Sequence, residues 1–294
     1  MEQNTSQPKA RGIALLPILV FLVLYLGAGI WYEYIAPIEG KMGFYVMSVV
    51  VAFGVALIVA FLQNRKRQFI GNIQLCAKST GEAMGSEIAV VEGKNSITLN
   101  NARLTGHIKH GIMLYQSFSG DAGIGEAKFT AKNSLLTNKS DGPMFYITNT
   151  TATANLESTQ LIQDGDVLIQ AASDRWGNEG KNGGTFTMNA INQELKGKIL
   201  GNNISQITLN LQGGSHWTGS FNEDYAADKA ALNLAKDAVW DVTANSYLTT
   251  FSDADSTFSN INSNGHKIYY DKKENPALGG KTYKLPGGGK LIAK

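Results

Sequence analysis

Four groupings in this 294-residue chain combine residue types that can do chemistry. Two are carboxylate pairs split by one small residue, Asp164-Gly-Asp166 and Asp253-Ala-Asp255. Paired carboxylates serve inverting glycoside hydrolysis when they flank a scissile bond. Several carboxylate oxygens around one point hold calcium. Asp164-Gly-Asp166 reads as a turn. Asp253 and Asp255, followed by Ser and Thr, begin a calcium-loop spacing but lack the glycine at the sixth position and the closing glutamate. They are the metal candidates, with Ca2+ as the ion, and no other cofactor is expected. A third grouping is the loop SDRWGNEGKNGG (173–184), which sets Asp174, Arg175 and Trp176 in a polar, glycine-rich insertion. An exposed tryptophan with charged neighbours can stack on a sugar ring and hydrogen-bond its hydroxyls; the competing reading folds Trp176 back as a plug. The fourth is His216-Trp217 in GGSHWTG. Asp174, Arg175, Trp176, His216 and Trp217 are therefore the ligand-binding candidates. His107 and His110 are three apart with no third ligand near them in sequence, which reads as a solvated loop. His266 falls in a turn. No serine or cysteine sits in a nucleophile elbow and G-x-G-x-x-G is absent, so no catalytic residue is assigned.

Two different kinds of segment must carry these residues. From Gly12 to Asn64 only Glu33, Glu39 and Lys41 are charged, whereas 22 of the 24 asparagines follow residue 70. The one cysteine, Cys76, excludes an internal disulfide framework and a cysteine-based zinc cluster. The net charge of +2 gives no reason to expect a nucleic-acid partner. The first 68 residues hold six Lys/Arg and three Asp/Glu, which leaves 20 basic and 21 acidic residues for the remainder. The positive excess thus belongs to the N-terminal part.

No charge lies between Arg11 and Glu33 or between Lys41 and Arg65. Each run is long enough for a helix of ~20 apolar residues to span a bilayer. The expected organisation is an N-terminal tail (1–11), a two-helix transmembrane hairpin (12–64) and a linker (65–80). Trp31 and Tyr32 would lie at one membrane interface, and Arg11, Arg65, Lys66 and Arg67 at the other. The basic flanks place both ends, and everything after residue 68, in the cytoplasm.

After Gly81 the pattern becomes short alternating runs broken by Gly and Asn: SITLNNARLTG, AKFTAKNSLLTN, ATANLESTQLIQDG, GTFTMNAINQELKG and QITLNLQGGSHWTG. Taking Ile97, Phe129, Ala152, Phe186 and Ile207 as equivalent gives a varying repeat that fits a solenoid of stacked parallel strands. Asn, Ser and Thr at its corners would stack into polar ladders. A two-layer sandwich is the rival architecture. AADKAALNLAKDAVW (226–240) has a helix-like composition, but its position makes it another coil, with Leu232, Leu234, Trp240 and Val242 inward. Residues 81–275 form the expected solenoid, and 276–294 an irregular cap or tail.

Two resemblances bear on these segments. RGIALLPILVFLVLYLGAGIWYEY, FYVMSVVVAFGVALIVAFLQNRK and RQFIGNIQLC resemble the first two membrane helices of NhaC-type sodium/proton antiporters and the segment after them. Neither apolar run contains an ionisable residue, the expected mark of an ion pathway. EIAVVEGKNSITLNNARLTG, LYQSFSGDAGIGEAKFTAKNSLLTNKSDGPMFYITNTTATANLE and LTTFSDADSTFSNINSNGHKIY are similar to bacterial right-handed parallel β-helix proteins of the cell envelope. That resemblance implies a mainly β fold, a right-handed parallel β-helix, behind the transmembrane hairpin. It also implies a place outside the cytoplasm, against the basic flanks. The leading functional expectation is a membrane-anchored, non-enzymatic, adhesin-like or carbohydrate-binding protein, with the lipid bilayer and a polysaccharide as partners. The alternatives are a β-helix polysaccharide lyase or hydrolase, and a truncated antiporter fragment fused to a β-helix.

Overall fold

The computed structural model describes residues 15–31, 49–59, 73–76 (backbone), 87–120 and 122–294. The chain divides into two units, Met1–Gly71 and Asn72–Lys294. In the first, Leu16–Ile30 forms a 15-residue helix with Pro17 in its opening turn, where the missing N–H costs nothing. Residues 49–59 are also helical. Among the described residues no helix is long and apolar enough to cross a membrane. The spanning hairpin predicted over 12–64 is therefore not found there: 15 residues rise only ~22 Å, short of a hydrocarbon core. Trp31 ends the first helix and is exposed. Arg11, Tyr32, Arg65, Lys66 and Arg67 lie outside the described residues.

The second unit is mainly β, and its strands pair in parallel except at its C-terminal end. From Ala89 onward the strands recur in threes. Ala89–Glu92, Ser96–Asn100 and Ala102–Gly106 are followed by Ile112–Tyr115, Ala127–Lys132 and Leu135–Asn138. Phe145–Thr148, Thr150–Glu157 and Gln160–Gln163 then complete a third tier. Each strand pairs in parallel with its counterpart in the next tier. The first positions make a five-stranded sheet ending at Lys198–Gly201, and the second positions a seven-stranded sheet ending at Thr250–Asp253. The third positions make one four-stranded sheet, followed by another of Glu194–Lys196, His216–Gly219, Val239–Val242 and Ile261–Asn262.

Period-2 alternation explains the core. In Ala127–Lys132, Ala127, Phe129 and Ala131 are buried while Lys128 and Lys132 are exposed. The same rule buries Leu232, Leu234, Trp240 and Val242, so 226–240 contributes strands rather than a helix, as its position implied. One predicted equivalence is out of step. Phe129 pairs with Ala154, and Ala152 pairs with Ala127 and Phe186. Both alanines point inward, so alternation alone could not choose between registers two residues apart.

In the first four tiers the corner leaving the seven-stranded sheet turns on one residue with positive φ: Asn101 (52°), Asn133 (49°), Ser158 (48°) and Asn192 (49°). Asparagine tolerates this left-handed conformation better than most residues. The amides of Asn101, Asn133 and Ser158 each donate to the next tier, at 3.0–3.2 Å. Just past the corner a buried polar column forms. The Ala102 amide donates to Ser134 Oγ (3.1 Å), Ser134 N to Thr159 Oγ1 (3.4 Å), Thr159 N to Gln193 Oε1 (2.6 Å) and Gln193 N to Ser215 Oγ (3.1 Å). The sequence placed a polar ladder at the corners; its buried members are Ser, Thr and Gln.

Two boundaries differ from expectation. Ile73–Cys76, inside the expected linker, is a strand paired with Ala102–Gly106. In the expected tail, Lys290–Ala293 adds a parallel strand to Lys267–Tyr270, and Tyr283–Lys284 folds back antiparallel on it. Asn275 mimics a further strand at the last edge of the seven-stranded sheet. Its Oδ1 accepts from Phe251 N (2.7 Å) and its Nδ2 donates to Thr249 O (2.8 Å). Blocking an edge in this way prevents strand addition.

Candidate functional site

The loop 173–184 leaves the strand Val167–Ala171 and enters Gly184–Ile191 at one corner of the second unit. Two tiers earlier, at the same corner, a second long loop joins Ile112–Tyr115 to Ala127–Lys132. In the tier between, Asn149 alone makes the turn, with φ 51°. This short corner lets the two loops meet. Asn149 Nδ2 donates to Gln116 O (2.7 Å) from one loop, and Asn149 N donates to Asn182 O (3.0 Å) of the other. Gly177 (φ 76°) approaches so closely that a Cβ there would sit 2.2 Å from Asn149 Oδ1.

Trp176 lies at the junction. Its ring centroid is 5.3 Å from both Tyr115 and Phe118, tilted by 47° and 54°. Arg175 Cζ stands 4.5 Å above it, within cation–π range. Phe118 is 73% exposed, so an aromatic surface faces solvent beside a guanidinium. The backbone beneath is fixed by the buried Asn182, which donates to Asp174 O (2.6 Å) and Trp176 O (2.9 Å). Asp174 accepts from Arg175 N (2.6 Å) and from the Tyr146 hydroxyl (3.2 Å). Tyr115 OH donates to Glu92 Oε2 at 2.9 Å. Beside the loops a groove of about 370 Å³ is lined by Gln116, Ile124 and Lys181, and by Thr151 and Thr185 of the seven-stranded sheet.

Asp174, Arg175 and Trp176 are consecutive in this loop, and Trp176 folds onto Tyr115 and Phe118. Sequence reasoning missed Tyr115, Phe118, Tyr146 and Glu92, whose relevance depends on which loops share a corner. His110 is not a solvated loop residue. Its ring stacks on Tyr146 at 4.2 Å and 4°. Burial lowers its pKa below 6.5, opposed by the nearby Glu87 carboxylate, 3.7 Å from Nδ1. Burial also raises the Tyr146 pKa, and Asp174 raises it further by placing negative charge beside the phenol.

The other candidates lie elsewhere and do different things. Trp217 is fully buried, which corrects its assignment as a ligand contact. Alternation along His216–Gly219 turns it inward, where it stacks on Trp240 at 5.1 Å and 7° and donates to Gly197 O (3.0 Å). His216 faces outward between two carboxylates, with Nε2 2.7 Å from Asp241 Oδ2 and Nδ1 3.2 Å from Glu194 Oε2. Asp255 caps the turn that follows it. Its oxygens accept from Thr257 N and Oγ1 (3.0, 2.6 Å) and from Ser259 N and Oγ (2.9, 2.5 Å), which pulls its pKa well below the usual carboxylate range. Donors aimed at a carboxylate compete with a cation for the same lone pairs. Asp253 is held by Asp255 N (2.8 Å) and Asn260 Nδ2 (3.1 Å), and burial raises its pKa. Among the described residues no group of three His, Cys, Asp or Glu side chains is placed to hold a metal ion. Asp164 pairs with Lys139 (3.3 Å) and Asp166 with Lys198 (3.1 Å). These two carboxylates each have a lysine partner.

No protein-family model matches the chain, and neither a curated protein nor a solved structure does.

Proposed function

We propose that the protein is a membrane-anchored, non-enzymatic carbohydrate-binding module of adhesin-like character, in which Asn72–Lys294 winds as a parallel β-helix. Pairing of each strand with its counterpart one tier later supports the helix, and the right hand is the one that parallel crossovers adopt almost without exception. The Leu16–Ile30 helix supports the anchor: it buries none of its own residues and shows exposed Leu, Ile and Val on all sides, the pattern of a helix facing lipid. The cell-envelope resemblance favours a place outside the cell for this unit, against the basic flanks of the N-terminal segment. Proteolysis of intact cells tests that placement.

The observation that carries the binding reading is the Trp176–Tyr115–Phe118 cluster with Arg175 at 4.5 Å. Aromatic faces take the apolar side of a sugar ring, while Arg175, Asp174 and the groove threonines offer hydrogen bonds at its edges. How the acids are used supports binding over catalysis: Asp164 and Asp166 are paired with lysines, and Asp255 with hydroxyls and amides. The test is a glycan panel probed with the full-length chain and with Trp176→Ala and Arg175→Ala. We expect at least one glycan to bind, and Trp176→Ala to weaken it by about tenfold or more, the loss of roughly 1.4 kcal/mol. Absence of binding to the panel, or equal binding by Trp176→Ala, refutes the assignment.

A further inference from the structure

The outer face of the seven-stranded sheet carries an array with its own character. Its register runs unbroken, so outward side chains stand in columns. One column reads Thr130, Asn155, Asn189, Asn210, Asn233, Ser252. The column two residues earlier reads Thr153, Thr187, Thr208, Ala231, Thr250. The asparagines are locked head to tail: Asn233 Nδ2 donates to Asn210 Oδ1 (2.7 Å), Asn210 to Asn189 (2.7 Å) and Asn189 to Asn155 (2.8 Å). Each linking amide spends one N–H within the column and keeps the other. The threonines are stiffened by β-branching. Thr153 is engaged by Glu126 at 2.5 Å, whereas Thr187 and Thr208 lie beyond that contact. From Thr153 to Ser252 neither column contains an ionisable or aromatic side chain. This stretch of the face is thus rigid, uncharged along its two central columns and periodic in two directions, with charge confined to its margins at Lys128, Lys132, Glu157 and Lys229. Between Thr153 and Ser252 its central columns lack the aromatic platform that would stack a sugar and the charge that would hold an ionic partner.

A periodic face matches a periodic ligand. Neighbouring strands lie about 4.7–4.9 Å apart. In tetrahedral water with an O···O distance of about 2.75 Å, second-neighbour oxygens lie about 4.5 Å apart. Across four tiers the mismatch accumulates to only about 1 Å. We propose that this face binds ice: the hydroxyls of Thr187 and Thr208 and the outward N–H groups of Asn189, Asn210 and Asn233 take the places of alternate water molecules in the surface layer of the crystal. The inference rests on other residues than the Trp176 loop, which enters the same sheet at Gly184 and whose groove takes Thr151 and Thr185, the column two residues before Thr153 and Thr187.

The test uses the purified full-length chain, with its empty detergent or nanodisc carrier as the blank. It measures thermal hysteresis and partition into a slowly growing ice front. We expect both activities in the wild type and a several-fold loss in the Thr187→Lys/Thr208→Lys double variant. Thr187→Val/Thr208→Val, which keeps the shape and removes the hydroxyls, should also lose activity if the lysines prevent folding. Val90→Lys, on the outer face of the five-stranded sheet, should leave activity unchanged. Three outcomes overturn the proposal: no hysteresis and no ice partition in the wild type, undiminished activity in both double variants, or adsorption to crystalline cellulose or chitin without entry into ice.

Discussion

Replacing Trp217 by alanine separates the inside of the β unit from its outside at two adjacent residues. Trp217 is fully buried, stacks on Trp240 at 5.1 Å and donates its indole N–H to Gly197 O at 3.0 Å. Truncating a buried tryptophan costs about 3–5 kcal/mol, and loss of the stacked partner and the hydrogen bond puts this site toward the upper figure. A unit of this kind has a total stability on the order of 5–15 kcal/mol, so a third or more is at stake. In a stacked array the cost falls first on adjoining tiers, and the His216–Gly219 and Val239–Val242 strands should open before the rest. His216→Ala removes only solvent-facing contacts to Asp241 and Glu194, of the kind worth about 0–1 kcal/mol. The assay is urea unfolding followed by far-UV circular dichroism on the full-length chain, with near-UV signal reporting the indole pair. Trp217→Ala should shift the midpoint strongly downward and abolish the near-UV signal of the pair, while His216→Ala leaves both nearly unchanged. A loss below about 1 kcal/mol for Trp217→Ala, or a larger loss for His216→Ala than for Trp217→Ala, refutes the assignment of faces and the sheet register behind it.

Three further outcomes follow from the same geometry. Adding Ca2+ or EDTA should leave Tm unchanged, because both oxygens of Asp255 already accept from Thr257 and Ser259; a calcium-dependent rise in Tm would show that a cation displaces those donors. His110 has its pKa lowered by burial, so its neutral form favours folding; that stability is present above pH 6.5 and is lost as pH falls through the lowered folded value. His110→Phe should flatten this acid-side decline in Tm, and an unchanged profile would mean another group governs it. Gly177→Ala, at φ 76° and 2.2 Å from Asn149 Oδ1, should free Trp176 and red-shift its fluorescence with little change in Tm, whereas a native emission spectrum would refute the close packing of loop and corner.

The parts of this architecture legible in the sequence are those set by local rules. Alternation marked the inward Leu232, Leu234, Trp240 and Val242 although their segment has a helix-like composition, because burial in a sheet outweighs intrinsic propensity. Asparagine marked corners because its backbone tolerates positive φ. Register was less legible: Ala152 and Ala154 are both small, apolar and inward, and only pairing across tiers distinguishes them. The strand Ile73–Cys76 was hidden for a related reason. A lone four-residue strand carries too little pattern to stand apart from a linker, and its identity comes from Ala102–Gly106 beside it. Trp217 was misread because its neighbour His216 drew attention to the pair, although alternation sends the two residues to opposite faces.

The location of the Trp176 cluster follows from how a repeat accommodates irregular length. In the early tiers, corner residues such as Asn101, Asn133 and Asn192 are hydrogen-bonded to the next tier, and one or two residues make the turn. The corner between the five-stranded and seven-stranded sheets varies more in these tiers. It holds one residue at Asn149 and long loops in the tiers on either side, so in the early tiers variation in repeat length is extruded mainly there, while later tiers lengthen the exit corner, with residues 254–260 before Ile261. A one-residue corner between two long ones leaves a gap, and apolar loop side chains close it by meeting across it. This brings Trp176 onto Tyr115 and Phe118 despite some sixty residues of separation. The core tiers thus fix the geometry while the insertions supply the chemistry, which is why a candidate binding surface arises where the repeat is least regular and the periodic outer array arises where it is most regular.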